Sequence, residues 1–82
     1  MTEHDHLDLL RAHIERSVPD VRAFLEPGSR LLAICRRGVP GVHVRWSHGD
    51  GCYVWVSGPD DGGQVGTDAA QATAQIVRVL LR

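Results

Sequence analysis

The chain has 82 residues and a formal net charge of −1 at pH 7. A chain of this length buries only about 60–65% of the surface that its unfolded form exposes, which allows one modest core and disfavours an enzyme with a deep substrate pocket. The near-zero net charge argues against attraction of the whole domain to nucleic acid or to an anionic membrane.

The basic residues are nine arginines, and lysine is absent. This bias is typical of a high-GC bacterial genome. The charge is unevenly spread, because residues 21–45 carry five arginines and one glutamate. Arginine keeps its charge, binds carboxylate or phosphate in a fork and stacks on aromatic rings. The acidic ends and the basic middle are expected to neutralise each other in the fold.

The N-terminal segment predicts a helix from Glu3 to about Arg16. Thr2 can cap it, and acidic residues in the first turn suit the positive end of the helix dipole. Leu7, Leu10 and Ile14 recur at helical spacing and predict one buried stripe.

Two further helices are predicted before residue 38. Ser17, with Pro19 and Asp20 behind it, resembles a helix start and predicts a short helix through Leu25. Residues 29–37 carry helix-stop signals, two arginines followed by Gly38, and predict a helix as well. The alternative for this segment is a strand, a continuous apolar run buried on both faces.

The second half predicts a β-meander and a last helix. Residues 42–46 and 52–57 are rich in valine and aromatic residues, as strands are. A turn at 59–62 leads into a short edge strand, Gly63 to Gly66, and Thr67 or Asp68 caps an alanine-rich helix from Asp68 to about Leu81.

The predicted fold class is α+β, a small antiparallel meander of about three strands with N-terminal helices and a C-terminal helix packed on one face. The chain is predicted to form one domain, 1–82. Within it, residues 1–38 are mainly helical, 42–66 form the meander and 68–81 form the last helix.

The pairing of the two hairpin strands decides which side chains face outward. Two-residue loops, Gly49-Asp50 or Asp50-Gly51, place Trp46 on the side of Tyr53 and Trp55. A three-residue loop, 49–51, places Trp46 opposite Val54 and gives Gly51 a left-handed conformation. The three-residue loop separates an apolar side from a polar-aromatic side, so this register is preferred, and it predicts an exposed face made of His43, Arg45, Tyr53 and Trp55.

An exposed arginine–aromatic face is typical of protein interfaces. The sequence therefore predicts a small non-catalytic accessory or regulatory module that binds a partner protein or itself, a possible homodimer, through His43, Arg45, Tyr53 and Trp55. The alternative is a nucleic-acid-binding domain that uses Arg36, Arg37 and Arg45 for phosphates, which the near-neutral charge disfavours. A third reading is purely structural, since a cross-strand pair of Arg45 and Trp55 stabilises a sheet without binding anything.

No catalytic, metal or cofactor site is predicted. Five histidines and two cysteines are present, but no C-x-x-C or H-x-x-x-H pair, and zinc requires well-placed ligands. Cys35 and Cys52 are expected to be buried structural thiols. The acidic N-terminus does not resemble a signal peptide, and no apolar run approaches the length of a membrane span, so a cytoplasmic protein without membrane contact is expected. The arginine-only basic set, the tryptophan-bearing hairpin and the alanine-rich last helix resemble small domains common in high-GC bacteria, a resemblance that implies no activity.

Overall fold

The computed structural model describes residues 2–57 and 62–80, except for the side chains at 39, 40 and 57. The described chain is α+β and consists of seven elements: α1 (Glu3–Ser17), β1 (Val21–Phe24), β2 (Leu32–Arg36), β3 (Val39–Ser47), β4 (Cys52–Ser57), β5 (Gln64–Gly66) and α2 (Ala69–Leu80). The strands form one antiparallel sheet in the order β1-β2-β3-β4-β5.

Helix α1 confirms the first predicted helix. Thr2 accepts a hydrogen bond from the Asp5 N–H, and the Asp5 carboxylate accepts from the Thr2 N–H, which completes a capping box. Leu7, Leu10 and Ile14 are fully buried, so the predicted stripe is the face that the helix packs against the sheet.

The predicted helix through Leu25 is wrong, because residues 21–24 form strand β1. Ser17 belongs to the last turn of α1 instead of starting a new helix. Burial then alternates along β1, with Val21 and Ala23 buried and Arg22 and Phe24 exposed. This period of two is the signature of a half-buried strand.

The predicted helix at 29–37 is also wrong, and with it the expectation that 1–38 is mainly helical. Its core forms β2, the strand alternative, in which Leu32 and Ile34 are buried while Cys35 is half-buried. The apparent helix-stop signal is a hairpin turn: Arg36 pairs with Val39, and Gly38 has φ of +81°. The two extra strands explain why the sheet has five strands and not about three.

The predicted meander of the second half is confirmed in outline. Strand β3 begins earlier than expected, at Val39, and β5 is a three-residue edge strand. The predicted turn at 59–62 falls largely outside the described residues. At its end Gly62 has φ of +85°, the conformation that favours glycine.

Helix α2 confirms the predicted last helix over the described residues. The Asp68 carboxylate accepts a hydrogen bond from the Gln71 N–H at 2.8 Å, as expected for a capping residue. Ala72, Ile76 and Leu80 are buried, and so is the polar Thr73. The helix runs very close to β5: a Cβ atom built on Gly66 would lie 2.7 Å from the Ala72 nitrogen.

Both helices pack on the same face of the sheet. One hydrophobic cluster contains buried residues of α1, α2 and all five strands: Leu7, Leu10, Ile14, Val21, Ala23, Leu32, Ile34, Val42, Val44, Trp46, Tyr53, Trp55, Val65, Ala72, Ile76 and Leu80. The opposite face has no helix or strand packed on it from the described part of the chain. No described helix has the length and apolar character needed to cross a membrane.

Candidate protein-interaction surface

The hairpin that joins β3 to β4 turns through four residues, 48–51, because Ser47 and Cys52 are its last paired residues. The Gly51 N–H donates to the Ser47 carbonyl at 2.8 Å, and the Ser47 hydroxyl donates to the Asp50 carboxylate at 3.0 Å. Gly51 has φ of +65°, so the predicted left-handed conformation is confirmed. The predicted three-residue loop is one residue too short.

This turn sets a register in which Trp46 pairs with Tyr53 and Val44 pairs with Trp55. The predicted pairing of Trp46 with Val54 is wrong. All three aromatic side chains are buried, so the predicted exposure of Tyr53 and Trp55 is wrong as well. The physical reason is area: each of these aromatic side chains buries roughly 150–250 Å², more than the valines that the other register would place against the helices.

Arg45 and His43 remain on the outer face of the sheet. Arg45 is exposed and pairs with Val54, so the predicted stack of Arg45 on Trp55 is wrong. His43 is half-buried on the same face. Of the four predicted partner contacts, the structure therefore places two on the outer face and two in the core beneath it.

The arginines of the nucleic-acid alternative are not brought together. Arg36 ends β2, Arg37 lies in the following turn, and the two line a shallow groove with Asp20. Arg45 lies six residues beyond Val39, the partner of Arg36, which is about 20 Å along a strand. A strip of adjacent phosphate contacts does not form.

Two exposed large apolar side chains lie near Arg45, at the β1–β2 side of the outer face. Phe24 is 56% exposed and Leu31 is 39% exposed, and both line a shallow groove with Ala33, His43, Glu26 and Ser29. Arg22 flanks this groove from β1. We call the following residues the outer patch: Arg22, Phe24, Leu31, Ala33, His43 and Arg45.

The outer patch is positive on an apolar background. None of the five strands contains Asp or Glu, and Glu26 is the one carboxylate among the described residues that line the groove. Towards β4 the outer face offers little accessible apolar surface, because Cys52 and Val54 are buried. Sequence reasoning missed Phe24 and Leu31 because it placed both in helices. The alternation of Val21, Arg22, Ala23 and Phe24 is the signal that could have found the first of them.

A second group of side chains lies at the start of α1, on the side of the sheet that the helices cover. The His6 ring stacks on the Trp46 ring with 3.7 Å between centroids and 9° between planes. His48 lies edge-on to His6 at 6.1 Å and accepts a hydrogen bond from the Trp46 indole N–H at 3.2 Å. The Tyr53 hydroxyl donates to the His6 carbonyl. We call His6, Trp46, His48 and Tyr53 the histidine–tryptophan cluster.

Burial shifts the pKa values of two side chains in this cluster. Desolvation lowers the pKa of His6 below its ordinary 6.5, and the neighbouring charge of His48 lowers it further. Desolvation also raises the pKa of Tyr53 to about 12, with a smaller contribution from Asp68. Burial therefore favours the neutral form of both groups.

The remaining reactive side chains do not form a recognisable site in the described residues. Cys35 is half-buried and Cys52 is buried, and both are free thiols. No group of three or more His, Cys, Asp or Glu side chains within 2–57 and 62–80 is arranged to hold a metal ion.

Comparison with known proteins adds no relative: no family model, no curated protein and no solved structure matches the chain.

Proposed function

We propose that the chain is a non-catalytic interaction module whose outer patch binds an acidic, apolar segment of a partner protein. The observation that carries the proposal is the exposure of Phe24, 56% of its surface, on the edge strand β1, on the side of the sheet opposite the two helices. A grouped set of exposed apolar side chains ringed by polar ones is typical of a protein-binding site.

The composition of the patch supports a protein partner. Aromatic residues and arginines are the side chains most enriched in interface hot spots, where an apolar anchor fills a pocket and surrounding polar groups exclude water. Phe24 and Leu31 supply the apolar anchor, and Arg22 and Arg45 supply guanidinium groups that bind carboxylates in a fork.

Charge favours an acidic partner over a symmetric dimer. An isologous dimer places the same patch on both copies, so it would bring two sets of arginines towards each other with no carboxylate from the strands between them. A segment that carries Asp or Glu beside apolar residues satisfies both the arginines and Phe24. Nucleic acid is disfavoured, because Arg36 and Arg37 lie about 20 Å from Arg45 and phosphate binding rests on accumulated basic charge.

Site-specific photo-crosslinking in the host cell tests the proposal. A photoreactive phenylalanine analogue replaces Phe24, and the same analogue replaces Leu9 as a matched control, because Leu9 is 52% exposed on α1. We expect position 24 to form an adduct with one protein whose crosslinked peptide carries Asp or Glu beside apolar residues. The variant Arg45→Glu should reduce the adduct at least about tenfold, since it reverses a charge that the partner contacts.

Each other outcome contradicts this proposal in a different way. Adducts between two copies of the chain identify self-association, and adducts with RNA or DNA identify the nucleic-acid alternative. Equal labelling from positions 24 and 9, or no labelling from position 24, would show that the patch binds no partner.

A further inference from the structure

The histidine–tryptophan cluster joins two parts of the fold that are far apart in sequence. His6 belongs to the second turn of α1, whereas Trp46 and His48 belong to the end of β3 and the turn after it. Their contacts fasten the start of α1 to the β3–β4 hairpin. We propose that this cluster is an acid-sensitive contact, which holds α1 on the hairpin when both histidines are neutral and releases the start of the helix when they are protonated.

The hydrogen bond between Trp46 and His48 requires a neutral imidazole. The indole N–H can only donate, so the His48 Nδ1 atom that receives it at 3.2 Å must carry no proton. Protonation of that nitrogen removes the acceptor. Trp46 is buried, and a buried N–H donor left without a partner lowers the stability of the fold.

The packing of His6 against its neighbours also favours the neutral ring. His6 is packed between Trp46, Tyr53 and His48, and a charged ring there would face a second imidazole with 6.1 Å between centroids. Two protonated rings at that distance repel each other. The other charged groups that act on His6 are the chain's amino group, which disfavours its protonation, and Asp5, which favours it.

One interaction opposes release. A cation over an indole face is attracted to the ring by about 0.5–1 kcal/mol at an exposed site and by about 2 kcal/mol or more at a desolvated one, so a protonated His6 would retain affinity for Trp46. The desolvation of His6, its repulsion by His48 and the loss of the Trp46–His48 bond all act in the other direction. If release dominates, acid weakens the contact; if the cation–π attraction dominates, acid strengthens it.

The sign of the pH dependence follows from the lowered pKa of His6. Its pKa is below 6.5 in the folded chain and near 6.5 in the unfolded chain, so the unfolded chain takes up the proton first. The stabilisation is complete above pH 6.5 and decreases as the pH falls below it. Each proton that only the released or unfolded form binds lowers the ratio of the folded form to that form by up to about tenfold per pH unit.

The fluorescence of Trp46 measures directly whether this contact is intact. In a Trp55→Phe background Trp46 is the only tryptophan, since the chain has two, and an indole that leaves a stacked imidazole changes its fluorescence. We expect a sigmoidal fluorescence change between about pH 8 and about pH 5, with its midpoint below the ordinary histidine value, while the far-ultraviolet circular dichroism of the sheet persists.

Two substitutions remove the titrating groups and keep the shapes. His6→Phe keeps a flat ring against Trp46, and His48→Asn keeps an acceptor for the indole N–H. The double variant should lose the fluorescence transition, and its urea midpoint should change less between about pH 7 and about pH 5 than that of the parent chain. His43→Asn serves as the matched control, because His43 lies on the outer face, and it should leave the transition in place.

Three results overturn the proposal. A fluorescence signal that stays constant with pH shows that the contact does not respond to acid. A midpoint above pH 6.5 together with a rise in the urea midpoint on acidification shows that the cation–π attraction dominates. A transition that survives in the double variant shows that other groups cause it.

Discussion

Two buried aromatic residues, Trp46 and Tyr53, keep their polar ends paired. The Trp46 N–H reaches His48, and the Tyr53 hydroxyl reaches the main-chain carbonyl of His6. Buried tyrosine and tryptophan normally require such partners. These two bonds let Trp46 and Tyr53 face inward with the indole N–H and the phenol hydroxyl paired.

The ionisation of Tyr53 tests this burial at a single residue. It is the only tyrosine, so the ultraviolet absorbance of phenolate reports it alone, and we expect a midpoint near pH 12 in the folded chain. Because the folded pKa lies above the ordinary value of 10, the stabilisation is complete below pH 10 and is lost as the pH rises towards 12. A midpoint near 10 in chain that circular dichroism shows to be folded would contradict the buried position of Tyr53.

At the scale of elements, α2 lies directly against the edge strand β5, and Gly66 makes that approach possible. A Cβ atom there would also lie 2.9 Å from the Gln71 Cβ, closer than real Cβ atoms approach one another. Relieving the clash requires backbone of the strand or helix to move, since the nearest atom is the main-chain nitrogen of Ala72.

We therefore expect Gly66→Ala to lower the free energy of unfolding by about 1–3 kcal/mol, the range for overpacking. Gly49→Ala is the matched control, because a Cβ there meets nothing within 4 Å, and its effect should stay within about 0.5 kcal/mol. Urea unfolding followed by circular dichroism measures both. Equal effects of the two substitutions would show that α2 does not approach β5 as closely as described.

Local signals predicted the elements whose ends carry specific chemistry. Thr2 with Asp5 marked the start of α1, and Asp68 marked the start of α2. The same kind of signal misled at Ser17 and at Arg36–Gly38, because a serine can end one helix as well as start another, and glycine after arginines serves a hairpin turn as well as a helix end. Which reading applies depends on the pairing of β1 with β2 and of β2 with β3, which these local signals do not reveal.

The outer patch was predictable only in part, for a related reason. Arg45 and His43 were placed outward correctly because the period of two within β3 is strong. Tyr53 and Trp55 were misplaced because the length of the turn decides the register, and the sequence HGDG permits several lengths. Phe24 and Leu31 became visible only once their segments were known to lie in or beside strands.

At the scale of the molecule, one hydrophobic cluster includes residues from both helices and all five strands. Within the described chain no part has a separate hydrophobic core, so no part is expected to unfold on its own. Its Cα radius of gyration, 11.2 Å, is close to the value of about 12 Å expected for a compact chain of this length.

We expect unfolding in urea to be a single transition, with tryptophan fluorescence and circular dichroism giving the same midpoint. Leu10→Ala should lower the free energy of unfolding by about 2–5 kcal/mol, because Leu10 is fully buried, and it should move both signals together. Separate midpoints for the two signals, measured at a pH above 7, would contradict a single shared core.

The meander topology has a kinetic consequence. Every strand pairs with the strand next to it in sequence, so each pairing closes only a short loop, and the entropy of closing a loop grows with its length. The sheet can form by the addition of one neighbouring strand after another to the β3–β4 hairpin. The contacts between residues distant in sequence are then mainly those made when the terminal helices dock. For a sheet-rich chain we therefore expect low contact order and comparatively rapid folding.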